Sequence, residues 1–164
     1  LAVKRKREDV EAALTREWRW AQNRTDAHDE VVANALGINR TDLRCLDVLD
    51  QEGPTTAGRL AELMGLTTGA TTALIDRLEE SGFVQRTRDP DDRRRIYVEV
   101  TRAAQERAWP YYEPLFRLSA ELYGRYTVAQ LEIVLDFLEA GAELSRQVLA
   151  ELRERQALNE QAPT

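Results

Sequence analysis

The chain has 164 residues, 43% hydrophobic and 32% charged, enough for one globular domain with a real core and too apolar for a disordered one. Its formal net charge of −6 disfavours indiscriminate binding to polyanions, although attraction to phosphate depends on where the cations sit. A single cysteine, Cys45, and a single histidine, His28, exclude an internal disulfide and a Cys/His zinc set, and no apolar run approaches the ~18 residues of a membrane span.

The N-terminal LAVKRKREDV has positive charge with no apolar core behind it. It is not a secretory signal, and the cytoplasm is the expected compartment. KRKR at 4–7 reads as a solvated charge run or as a basic arm on DNA backbone. From Glu8 to about Asn23, Val10, Leu14, Trp18 and Ala21 recur at helical spacing. Trp18 and Trp20 cannot share a face of that helix, so one packs inward and the other lines an interface or cavity. DAHDEVVANALGI reads as a separate short helix stopped at Gly37. NRTDLRCLDVLDQEG gives a third, with Leu43, Leu46 and Leu49 on one face and Gly53-Pro54 at its end.

In TAGRLAELMG the apolar positions Leu60, Leu63 and Met64 fall at helical spacing, and Gly65 supplies a left-handed stop. Thr67 and Thr68 offer N-cap chemistry for a second helix through Glu80, which also ends on a glycine, Gly82. Two short helices joined by a tight Gly-containing turn form a helix-turn-helix, which presents its second helix to the DNA major groove. FVQRTR and RIYVEV then read as short strands around DPDDRRR, a turn with Asp-Pro chemistry and three arginines. A hairpin with a charged tip in that place is a wing. The fold class is therefore mostly α with a small β-hairpin: a winged helix-turn-helix over residues 39–101, between N-terminal helices (1–38) and C-terminal helices (102–164).

Thr101 caps a long helix through about Tyr123, in which Pro110 and Pro114 predict a bend or break near Trp109–Pro114. Gly124 to Tyr126 is a turn, and TVAQ at 127–130 is a capping box for the final helix. Leu131, Val134, Leu138, Gly141, Ser145, Val148 and Leu152 continue a stripe to near Arg155, with Ala140, Gly141 and Ala142 permitting close approach. Such a stripe asks for a partner, and with the N-terminal helix it suggests a two-fold dimer built from both chain ends.

On the second helix of the motif, Ala70, Leu74 and Leu78 share the face expected to pack inward. Thr67, Thr68, Gly69, Thr71 and Thr72 then fall at the N-terminal end and outward face. Threonine hydroxyls suit phosphates or base edges, threonine methyls suit thymine methyls, and a glycine lets the backbone approach DNA. Arg77 either holds a phosphate or pairs with Asp76, Glu80 or the wing. At the wing, Asp89, Asp91 and Asp92 can pair with nearby arginines, and Arg88 and Arg95 are candidate backbone contacts. Cys45 lies beside an apolar helix face, where an inert buried thiol is the ordinary outcome.

LTTGATTALIDRLEESGFVQRTRDPDDRRRIYVEVT resembles the recognition helix and wing of the MarR family of bacterial transcription regulators; DRLEESGFV and the DPDDRR wing followed by a strand and Thr101 carry the match. The resemblance implies a homodimer that binds a pseudo-palindromic DNA operator, with no enzymatic activity and no cofactor. It matches Arg93 and Arg94 to the wing arginines that enter the minor groove. Where many members carry an arginine this chain has Ala73, which removes one base or phosphate contact. The family's small aromatic or phenolic effectors point to Trp18, Trp20, His28, Trp109, Tyr111 and Tyr112 as candidate ligand residues. Some members instead sense oxidants through a cysteine, here Cys45. A winged-helix module for protein–protein contact is the alternative from another class.

Overall fold

The computed structural model describes residues 5–92 and 94–161. The candidate Arg93, and Lys4 of the basic run, lie outside the described residues. The order is α1 (Arg7–Leu36), α2 (Arg40–Glu52), β1 (Thr55–Thr56), α3 (Ala57–Met64), α4 (Thr68–Glu80), β2 (Val84–Arg88), β3 (Ile96–Val100), α5 (Arg102–Tyr123) and α6 (Val128–Gln161). The chain forms two compact units, Leu1–Glu113 and Pro114–Thr164, each described by itself below.

In the first unit, α2 begins with a reciprocal capping box. Asp42 N–H donates to the Asn39 side chain at 2.9 Å, and Asn39 N–H donates to the Asp42 carboxylate at 3.4 Å. Thr56 caps α3 by accepting from Arg59 N–H. Gly65, at φ 66°, then takes the left-handed conformation that turns the chain into α4. Gly82 does the same at φ 74° between α4 and β2. Three antiparallel strands form a sheet in the order β1-β3-β2. The two-residue β1, which sequence patterning does not reveal, pairs Thr55 with Val98 and Thr56 with Tyr97. In the hairpin Val84 faces Val100 and Arg88 faces Ile96.

Leu43, Leu46 and Leu49 of α2, Leu60 and Met64 of α3, Leu74, Ile75 and Leu78 of α4, and Phe83, Val84 and Val98 of the wing make one buried core. Val32, Ala33 and Leu36 from the end of α1 join it. Thr101 ties the hairpin to α5: its hydroxyl donates to Gly82 C=O at 2.8 Å and accepts from Ala104 N–H at 3.1 Å. The Arg107 guanidinium stacks over the Phe83 ring at 4.4 Å.

Two expectations are corrected here. DAHDEVVANALGI is not a separate helix; α1 is continuous through Leu36, because the polar stretch at 23–25 before it contains neither Gly nor Pro to break the helix. Nor does α5 break at Trp109–Pro114, since it is helical through both prolines. Each proline forfeits a single amide donor, which a helix of 22 residues survives.

In the second unit, the Thr127–Gln130 box caps α6. Thr127 N–H donates to the Gln130 side chain at 2.9 Å and Gln130 N–H to the Thr127 hydroxyl at 3.4 Å. Ile133, Leu135, Phe137, Leu138, Leu144 and Leu152 of α6 are all exposed, as are Leu115, Phe116 and Leu122 of α5. From Val128 to Gln156 no residue of α6 is buried.

Candidate nucleic-acid interface

The interface is built on α4 and the hairpin. Thr67 is the N-cap, its hydroxyl accepting from Ala70 N–H at 3.3 Å, so the first-turn amides of α4 start from a polar, exposed end. Thr68, Gly69 and Thr72 are exposed, with the Thr72 hydroxyl donating to Thr68 C=O at 3.0 Å. A Cβ at Gly69 would meet no protein atom within 4 Å, so packing inside the protein does not require glycine there. Thr71 departs from expectation. It is 1% exposed, and its hydroxyl donates to Thr67 C=O at 3.0 Å, leaving its methyl for the core. The inward face is Thr71, Leu74, Ile75 and Leu78, while Ala70, expected inside, is exposed. Satisfying its own hydroxyl locally is what lets a threonine occupy a core position.

The arginines divide into anchored and available ones. Arg77 does not pair with Asp76, Glu80 or the wing. It reaches Asp42 on α2, with Nε 3.3 Å from Oδ2 and Nη2 2.5 Å from Oδ1. Arg86 of β2 grips α4 through Asp76, at 2.5 Å, and through the Glu79 carboxylate, while its backbone N–H donates to Glu79 at 3.1 Å. Both guanidiniums are thereby held above their ordinary pKa, chiefly by these hydrogen bonds. Arg86 also neutralises two carboxylates that would otherwise repel a phosphate backbone beside α4.

At the wing tip the aspartates organise backbone more than arginines. Asp89 Oδ1 accepts from Asp91 N–H at 2.8 Å and Asp92 N–H at 3.0 Å, and Oδ2 accepts from the Tyr97 hydroxyl at 3.1 Å. The two backbone amides, aided by Tyr97, hold the Asp89 carboxyl below its ordinary pKa. Arg95 pairs with Asp92 at 3.6 Å. Arg88 and Arg94 are exposed and form no ion pair among the described residues, so they are the wing cations open to an external anion. Sequence reasoning missed Asp42 and the Asp76–Glu79–Arg86 clamp. The i, i+3 carboxylates before a strand arginine were a signal for the clamp, whereas nothing in the sequence around Asp42 pointed to Arg77.

The candidate ligand residues are only partly gathered. His28 and Tyr112 stack edge to face at 5.4 Å. A His28 ring nitrogen lies 3.4 Å from Tyr111 C=O, and the Tyr112 hydroxyl donates to Asp47 at 3.4 Å. Burial and the Asp47 charge push the Tyr112 hydroxyl up to about 12, and burial also raises Asp47. A groove of about 360 Å³ nearby is lined by Asp26, Asp29, Arg40, Arg44 and Asp47. Trp18 is half-buried, whereas Trp20 and Trp109 are half-exposed; Trp20 has Arg24 over its ring at 5.8 Å. Cys45 is fully buried, and its thiol is pushed up to about 12 by burial and then by Asp42. That is the opposite of an activated sensor thiol.

Residues 38–96 match the family model described as the MarR family. Over 94% of this chain and the full length of the relative, the sequence is 34% identical to the uncharacterized HTH-type transcriptional regulator YcgE of Bacillus subtilis. The chain belongs to the MarR family. Solved structures share its fold. The transcriptional regulator Tm0710 from Thermotoga maritima is 24% identical, with a TM-score of 0.59 and coverage of 85% of this chain and 98% of that one. A MarR family protein from Bacillus stearothermophilus is 21% identical, with a TM-score of 0.59 and coverage of 88% and 99%. As a MarR family member the chain is a DNA-binding transcription regulator and not an enzyme. No described helix is long and apolar enough to cross a membrane.

Proposed function

We propose that two copies of this chain form a homodimer through their terminal helices and read one pseudo-palindromic DNA operator in the cytoplasm. The observation that carries the reading is the apolar surface of α5 and α6 left uncovered in a single chain; exposure on that scale marks an interaction surface. Two-fold pairing would set two copies of α4 in successive major grooves, half-sites about one helical turn apart. Thr67, Thr68, Gly69 and Thr72 then meet phosphates and base edges, while Arg88, Arg94 and Arg93 at the wing flank them toward the minor groove. Occlusion of a promoter makes the protein a repressor.

The test begins with duplexes selected from a random-sequence pool by the full chain. The expected product is an inverted repeat, and Arg94→Ala lowers the slope of log K against log salt by about 1.8 for the dimer if each Arg94 neutralises one phosphate. Selection of no sequence, or an unchanged slope with unchanged affinity, contradicts the reading.

A small-molecule effector is a second reading, favoured by the His28–Tyr112 pair beside the Asp47 groove. Three carboxylates against two guanidiniums line that groove, which suits a phenolic O–H donor better than a carboxylate. A set of phenols and aromatic acids, titrated against the selected complex, checks it: phenols should release DNA at lower concentration than acids.

A further inference from the structure

The pairing of Arg77 with Asp42 joins two elements 35 positions apart in the sequence. The Asp42 side chain is only 4% exposed. Its carboxylate takes both guanidinium hydrogen bonds as well as the Asn39 amide that starts α2. A carboxylate so buried is tolerated only when paired, and the bidentate geometry fixes direction as well as distance. On the wing side, Arg86 holds the adjacent residue Asp76, and Glu79 one turn on. Two neighbouring positions of α4, Asp76 and Arg77, are thus pulled toward different supports, β2 and α2. A helix held from two sides has one orientation relative to the wing.

We propose that Arg77 is a positioning residue, which sets the angle of the DNA-reading helix through buried Asp42 instead of neutralising a phosphate. The Arg77 side chain is 49% exposed, so a residue scan would score it as a DNA contact by position alone. Asp42 has no such ambiguity: buried beneath Arg77, it cannot touch a duplex. Any effect of Asp42 on DNA affinity is therefore indirect, and its dependence on Arg77 in the double variant separates a route through α4 from one through the α2 cap. This inference rests on the DNA-docking reading above for its binding arm, and a second arm stands without it.

The experiment compares Asp42→Asn, Arg77→Gln, the double variant and Arg77→Lys in the full chain, with the duplex selected by the unsubstituted protein as probe across a salt series. Asp42→Asn and Arg77→Gln each weaken binding about tenfold, the scale of one charge-assisted hydrogen bond. The salt slope stays unchanged, and the double variant is no weaker than the weaker single one. Arg77→Lys keeps a cation but loses the fork, and binds as weakly as Arg77→Gln. A slope lower by about 1.8 for the dimer in Arg77→Gln, with unsubstituted affinity in Asp42→Asn or rescue by Arg77→Lys, overturns the proposal. Amide NMR spectra of the free proteins form the second arm. Asp42→Asn and Arg77→Lys shift the same α4 amides, from Thr68 to Glu80, whereas changes confined to each substituted residue's neighbours overturn the proposal. If no duplex is selected, the docking reading fails while this arm still decides the role of the pair. A variant that fails to fold leaves Arg77→Lys, the mildest change, to be read in both arms.

Discussion

The winged lobe and the last helix use similar amphipathic sequence to opposite ends. In the lobe, Leu60, Leu74, Leu78, Phe83 and Val98 bury one another within a single chain. On α6, Leu138, Val148 and Leu152 repeat at comparable spacing, yet each stays about half exposed. Apolar periodicity predicts a face; whether the chain itself covers that face is a matter of topology. The lobe meets its helices with a sheet and short turns, so its core closes internally. A helix of 34 residues presents a longer stripe than its own unit covers, and a second copy is what we propose completes it.

Substitutions that act on one side of this contrast give the largest effects. Phe83→Ala empties a 2% exposed site and should cost about 3–5 kcal/mol of lobe stability, independent of protein concentration; chemical denaturation at two concentrations measures both. Leu138→Glu with Val148→Glu should do the reverse. The lobe keeps its near-native spectrum while the chain becomes monomeric by sedimentation, and operator affinity drops about 100-fold or more through lost bivalency. If the double variant stays dimeric, the α6 stripe is not the interface.

Gly69→Ala is a smaller probe, confined to the N-terminal end of α4, which we propose meets DNA. Because a Cβ there meets nothing in the protein, the fold should gain up to about 1 kcal/mol of stability while operator binding weakens. A thermal melt and a binding titration on the same sample separate the two effects. Smallest at neutral pH is the effect of Cys45. Burial raises its thiol from the ordinary 9.0 to about 12, so the unfolded chain ionises first and stability declines as pH rises from 9.0 toward 12. Cys45→Ala should flatten that decline without altering the neutral region, and thiol reagents at pH 8 should react only after denaturation.

Local chemistry made much of the lobe, and the start of α6, legible. The Thr67 cap, the Gly65 and Gly82 turns, the arginine-tipped hairpin and the TVAQ box are each written within four or five neighbouring residues. Thr71 was misplaced because a polar residue that back-bonds to Thr67 presents a methyl to the core, and composition does not record where a hydroxyl goes. Arg77 was visible as a cation and Asp42 was not singled out, because their bond spans the α2–α4 packing and exists only once the helices meet. The two-residue β1 carries too short a pattern to register. His28 of α1 and Tyr112 of α5 meet edge to face, a contact made by the packing of two long helices that no local pattern records, whereas Trp20 is exposed.

Stoichiometry and spacing on the selected duplex test the central claim most directly. Sedimentation of the protein–duplex complex should give two chains per inverted repeat. Inserting about half a helical turn, roughly five base pairs, between the half-sites should abolish that species. Independent binding of single chains to each half-site, indifferent to the insertion, would contradict the account.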